Sequence, residues 1–287
     1  MQIGLVGAGL MGHGMAVNLL KADHEVLLVA HRNPAPIEDL VQRGARKAAS
    51  LGEMARRAEI ILVCVTNSKA VEEVVDTLKP HLAAGQIILD MGTSDPAVNR
   101  RLATELGVRG IGFAEAPVAG GPEQAAAAEL GALVGADQAT FERIRPILEC
   151  ICATISHMGP VGSGQTAKLI SNYLVLGMVA LIADTFNVAR KAEVDWGKLY
   201  AAMQRGSSNS GALRKIVEPA LQGDYDGYPF SLANGHKDMS YYMALAGARG
   251  FSSAMADEIM AVYDKAMARG HGGYRLSRLI DPQLNQD

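Results

Sequence analysis

Three glycines near the start of the chain are spaced for phosphate chemistry. Gly7, Gly9 and Gly12 in "GLVGAGLMGHG" form G-x-G-x-x-G between a strand-like apolar run and a helix that opens near Leu10. Such glycines allow a tight turn, a close approach of backbone to pyrophosphate, and close packing of helix on strand, with the phosphates at the positive helix N-terminus. The spacing fits a dinucleotide, with Gly7, Ala8, Gly9, Leu10, Met11 and Gly12 as its cradle. An NAD site wants Asp or Glu at the end of the second strand, where a carboxylate bonds the ribose hydroxyls. Here the chain supplies Ala30, His31 and Arg32. Arg32 can form charge-assisted bonds to a 2′-phosphate and His31 can add a donor, which favours NADP over NAD. An Arg32 that only stacks on adenine is compatible with either cofactor.

Three later stretches add what a bare nucleotide domain lacks. "DMGTSDP" sets Asp95 before Pro96, a helix start. "APVAGGPEQ" places Gly120 and Gly121 in a loop whose backbone N–H groups can form a nest for a carboxylate. "GSGQTAKLISN" sets Lys168 and Asn172 four apart on one helix face. A single helical Lys is usually a solvated charge, but Lys168 sits among small and apolar residues at a domain boundary, which favours a cleft-facing role. His13, just past the glycines, reads as a solvent-facing helix residue.

The elements that must position these residues follow from periodicity. "IGLV", "EVLLVA", "EIILVCV", "QIILDM" and "GIGFAEA" have strand character, and the segments between them suit helices; "SKAVEEVVDTLKPHL" puts Val71, Val74, Val75 and Leu78 on one face. The alternation predicts an α/β Rossmann-type domain over residues 1–162. An all-α domain over 163–287 follows, built around a helix from Thr166 to about Ala192, with breaks at Gly206–Gly211, Gly223–Pro229 and Arg269–Gly273. The apolar run Tyr173–Ala183 is too short to span a bilayer and reads as a buried helix. That helix is longer than a small helical domain can cover, so a homodimer or homotetramer is expected with the helix near the interface.

With 49% hydrophobic residues and a net charge of -3, the chain reads as globular, without electrostatic cause for a nucleic-acid or membrane partner. Cys64, Cys150 and Cys152 show neither metal-ligand nor disulfide spacing, which fits packed thiols in a reducing, cytoplasmic compartment. No signal segment is read at the N-terminus, and no metal is expected.

Taken together, "GLVGAGLMGHGMAVNLLK", "DMGTSDP", "APVAGG", "GSGQTAKLISN" and "GHKDMSYYMALA" resemble the β-hydroxyacid dehydrogenases, the group of 3-hydroxyisobutyrate dehydrogenase and tartronate semialdehyde reductase, over nearly the whole chain. The resemblance implies that Lys168 is the catalytic acid/base, that Asn172 holds a small acid substrate, that Thr93 lies near the nicotinamide, and that Lys237 closes over the cofactor. Asp238 would orient that region, and Thr66 and Asn67 would join the cofactor set. The chain departs from the family at Ala119, where a Ser commonly helps bind the substrate carboxylate. It also has Ser171 for an Asn and Gly92 for a frequent Ser, so substrate identity does not carry over. Imine reductases on this scaffold usually replace the lysine with Asp or Tyr, and a non-catalytic dinucleotide-binding relative would lose it; Lys168 counts against both.

Overall fold

The computed structural model describes residues 1–29 and 33–284. Ala30, His31 and Arg32, on which the choice between NADP and NAD rests, lie outside the described residues. The chain divides into two compact units, Met1–Lys168 and Leu169–Asp287.

In the first unit, β1 (Gln2–Val6), β2 (Glu25–Val29), β3 (Arg46–Ala48), β4 (Ile60–Val63), β5 (Ile87–Asp90) and β6 (Gly112–Glu115) run parallel in the order β3-β2-β1-β4-β5-β6. This is the Rossmann order, and it reverses between β1 and β4, where ligands bind beyond the strands' carboxyl ends. Beyond β6 the sheet continues through β8 (Leu130–Gly135), antiparallel to β6 and to β7 (Val118–Ala119) and parallel to β9 (Cys152–Gly159). Strand β4 is apolar throughout because both faces of the sheet are covered there. Ile60 and Leu62 share one core with Met15 and Leu19, while Ile61 and Val63 share the other with Met54, Val71 and Val75.

The covering helices are α1 (Leu10–Lys21), α2 (Ala35–Gln42), α3 (Leu51–Arg57), α4 (Ser68–Leu78), α5 (Pro96–Gly107), α6 (Pro122–Ala127) and α7 (Gln138–Glu149). The expected amphipathic face of α4 is present: Val71, Val75 and Leu78 are fully buried, each worth roughly 1.5–3 kcal/mol relative to exposure. Asp95 caps α5 ahead of Pro96, accepting from Ala97 N–H at 2.8 Å.

The expected long helix is α8 (Ser163–Lys191), which begins three residues earlier than its sequence pattern. In the second unit its inner face, Leu176, Val179, Ile182, Ala183 and Phe186, packs with residues of α9 (Trp196–Met203), α10 (Gly211–Ala220), α11 (Leu232–Ala248) and α12 (Ala254–Ala268). Buried Tyr263 donates to the Leu176 carbonyl at 3.0 Å. The second unit also breaks at Arg249–Ser253, between α11 and α12, a break outside the three that the sequence pattern predicts. The apolar run alone is too short for a bilayer, while α8 as a whole is long and apolar enough to cross one by length and composition alone. Its inner face is instead the core of the second unit. Ile170, Leu174, Leu181 and Val188 of α8 are exposed apolar residues.

Candidate active site

Gly7 and Gly12 of the first turn each have a separate steric cause. Gly7 has φ +99°, and a Cβ there would lie 2.1 Å from the Cys64 carbonyl oxygen; a Cβ on Gly12 would lie 2.1 Å from that of Gly7. At Gly9 a Cβ would meet nothing within 4 Å. Gly9 is also the N-cap of α1, with no side-chain cap and no acidic residue in the helix's first turn. Helices α3, α4, α5 and α7 all have a Ser, Asn or Asp cap. Open space above an uncapped helix N-terminus fits a dinucleotide pyrophosphate in size and sign. Leu10 is exposed, and Ala8 and Met11 are half-buried around the turn.

His13 is not simply solvent-facing: its Nε2 lies 2.7 Å from Asp39 Oδ2, and Arg43 binds the same carboxylate. Those contacts hold the Asp39 carboxyl below the usual range, the Arg43 hydrogen bond more than that of His13. Behind the turn, burial pushes the Cys64 thiol up to about 12, helped by nearby Asp90, which leaves it an inert packing group. Thr66 is exposed after β4, and Asn67 caps α4 by accepting from Ala70 N–H at 2.9 Å.

Thr93, half-buried, follows β5 in a loop fixed by a buried polar cluster. Gln165 Nε2 donates to the Gly92 carbonyl at 2.9 Å, and Gln165 Oε1 accepts from Ser94 N–H at 3.0 Å. The same Nε2 lies 3.3 Å from Asp90 Oδ2. Asn99 Nδ2 donates to Asp90 Oδ2 and Glu115 Oε2, both at 3.0 Å. Glu115 Oε1 accepts from Gly162 N–H at 2.8 Å and Gln165 N–H at 2.9 Å. Desolvation outweighs these bonds and pushes Glu115 up to about 7, with Asp90 adding to the rise. Lys168, half-buried, follows Gln165 by three residues on α8.

Ala119, on the exposed edge of β7, and Gly120, with φ +118°, precede α6. The expected nest is partly filled, because Gly121 N–H already donates to Gln124 Oε1 at 2.9 Å. Helix α6 is fixed to α1: Asn18 Nδ2 donates to the Ala125 carbonyl at 2.8 Å, and a Cβ on Gly14 would lie 2.7 Å from Ala125 backbone. The Gly120 loop and the phosphate turn are therefore held to each other.

In the second unit, Asn172 Nδ2 donates to Asp238 Oδ2 at 2.6 Å, and Lys237 Nζ lies 2.9 Å from Asp238 Oδ1. Lys237 also lies 5.1 Å above the Tyr241 ring. The carboxylate fixes the Asn172 amide plane, since its NH₂ must face the acid. Gly92 lacks a Cβ because one would lie 2.9 Å from the Val65 carbonyl oxygen, and Ser171 is exposed on α8. Among the described residues, no three His, Cys, Asp or Glu side chains gather as a metal site.

The sequence pattern points to Lys168 and Asn172, and the family resemblance to Lys237, but neither points to Gln165, Asn99, Glu115 or Tyr241. The available signal was an acid ending each of two apolar strands, Asp90 on β5 and Glu115 on β6.

Residues 2–159 match the NAD binding domain of 6-phosphogluconate dehydrogenase. Residues 162–282 match the NAD-binding domain of NADP-dependent 3-hydroxyisobutyrate dehydrogenase. The chain is 31% identical to a Pseudomonas aeruginosa 3-hydroxyisobutyrate dehydrogenase, covering 94% of this chain and 95% of that protein. It is 30% identical to an NAD-dependent L-serine dehydrogenase of the same organism, covering 99% of each. A Mycobacterium tuberculosis 3-hydroxyisobutyrate dehydrogenase solved with L-serine superposes with TM-score 0.89 at 26% identity, over 99% of both chains. A Pseudomonas imine reductase shares only the fold, at TM-score 0.63 and 18% identity over 97% of both chains. Its two matched domains, the near-complete coverage by these relatives and the sheet order that carries the phosphate turn place this chain in the β-hydroxyacid dehydrogenase family of 3-hydroxyisobutyrate dehydrogenase type.

Proposed function

We propose that this chain interconverts a short β-hydroxy acid and its aldehyde or keto acid, with NADP preferred to NAD and Lys168 as general acid/base. The observation that carries the reading is the pair Lys168 and Asn172, one helical turn apart on α8 in a member of this family. A bound nicotinamide would accept or supply the hydride. In reduction Lys168 donates a proton to the carbonyl oxygen, and in oxidation it takes the proton from the hydroxyl; positioned proton transfer is typically worth about 10²–10⁴-fold. Asn172, its NH₂ turned to Asp238, presents its carbonyl oxygen to the substrate hydroxyl. The substrate's acid group is held by Gly120 N–H, and by Gly121 N–H once Gln124 releases it. Ala119 contributes no hydroxyl there.

The glycine turn from Gly7 to Gly12 holds the pyrophosphate, Thr66, Asn67, Thr93 and Lys237 complete the cofactor set, and Arg32 with His31 reads the 2′-phosphate. Exposed Ile170, Leu174, Leu181 and Val188 support a homo-oligomer built on α8. The free, packed cysteines support a cytoplasmic setting.

A screen of NADPH and NADH oxidation against small aldehyde acids, keto acids and cyclic imines tests the reading. Turnover of aldehyde or keto acids, faster with NADPH, is expected. Turnover of cyclic imines alone, or of nothing, would overturn it.

A further inference from the structure

Lys168 and Thr93 lie far apart in sequence, and chemistry between an acid/base and a nicotinamide site needs them in fixed register. Gln165 joins their backbones. Its amide bonds the peptide groups on both sides of Thr93, the carbonyl of Gly92 and the N–H of Ser94. The residue is fully buried, so these bonds have no competing water.

The first turn of α8 is pinned just as firmly. Gly162, which precedes the helix, has no side chain to cap it, and Glu115 supplies the missing acceptor from β6 by taking both the Gly162 and the Gln165 N–H. Glycines permit that seat: a Cβ on Gly164 would lie 2.3 Å from the Leu133 carbonyl oxygen, and one on Gly135 would lie 2.5 Å from Glu115 Oε1. Asn99 ties Glu115 to Asp90, whose Oδ1 accepts the Gly92 N–H at 3.0 Å. Gln165 is thus held through its backbone by β6 and through its side chain by the loop after β5. Each helical residue turns about 100° and rises about 1.5 Å, so a slip of this first turn would swing the lysine three residues on.

We infer that Gln165 is a positioning residue: its buried amide sets Lys168 in register with Thr93, and Asp90, Asn99 and Glu115 hold that amide in place. The inference rests on the acid/base reading of Lys168.

Gln165→Met keeps the side-chain length and removes both bonds around Thr93. With 3-hydroxyisobutyrate and NADP as probes, kcat is expected to fall about 10- to 100-fold while the dissociation constant for NADPH changes less than about twofold. The decisive readout is a double-mutant cycle. In a Lys168→Ala background, Gln165→Met should cause little further loss, whereas a purely structural defect would cost the same in both backgrounds. If Gln165→Met does not fold, Gln165→Asn, one methylene shorter and still polar, carries the same expectations; failure of both to fold assigns Gln165 to stability and overturns the inference. Equal losses in the two backgrounds, or a normal kcat in the Gln165 variant beside a crippled Lys168→Ala, would also overturn it. Near-normal kcat in Lys168→Ala alone contradicts the acid/base reading instead.

Discussion

Two buried acid clusters, one in each unit, are stabilised in opposite ways. Asp90 and Glu115 in the first unit are bonded by neutral donors: the Asn99 and Gln165 amides and three backbone N–H groups. Asp238 in the second unit has the Asn172 amide on one oxygen and the Lys237 ammonium on the other. Neutral donors do not offset the desolvation of Glu115, which titrates near neutrality. The Asp238 carboxylate instead holds an amide and a cation at once. In the first unit, then, polar residues hold backbone in place at a cost that depends on pH. In the second unit a charged pair orients the Asn172 and Lys237 side chains.

The largest expected effect falls on the second cluster. Asp238→Ala removes the shared anchor of Asn172 and Lys237, and kcat/KM for 3-hydroxyisobutyrate should drop about 10²-fold. Asp238→Asn can still accept from Asn172 and should lose less. Near-normal efficiency in both variants would reduce that cluster to packing and erase the contrast.

A smaller effect, read as stability, belongs to the first cluster. Glu115 sits at about 7 in the fold against 4.5 in the unfolded chain, so between those values the unfolded chain releases a proton that the fold keeps. Stability therefore falls as pH rises from about 5 to 7 and is flat above, by on the order of 3 kcal/mol for the full shift. Glu115→Gln should remove that slope. Thermal midpoints across the range, compared between wild type and variant, check it; parallel curves would show that Glu115 titrates as it does in the unfolded chain.

Much of this architecture was legible in the sequence, for physical reasons that differ by region. Strands β1, β2, β4, β5 and β6 announced themselves because burial on both faces makes them continuous apolar runs. β3 was not seen because Arg46 and Lys47 sit on an exposed edge, and β9 because most of its residues are not buried. Gly7 and Gly12 carried their meaning locally, each with a distinct steric cause, and Gly9 did so through the open space at the N-terminus of α1. The Gln165 clasp did not: its partners lie 71 to 75 residues away, and an amide shows its role only in three dimensions. At Gly120 and Gly121 the local sequence did not show that Gln124, three residues on, takes the Gly121 N–H.

The central claim is that Lys168 exchanges the proton, and one comparison of wild type with Lys168→Ala tests it most directly. Rates with 3-hydroxyisobutyrate and NADP, taken alongside NADPH affinity by fluorescence titration, should show kcat reduced by about 10²-fold or more with cofactor affinity unchanged. A Lys168→Ala enzyme that turns over within a few-fold of wild type would contradict the account.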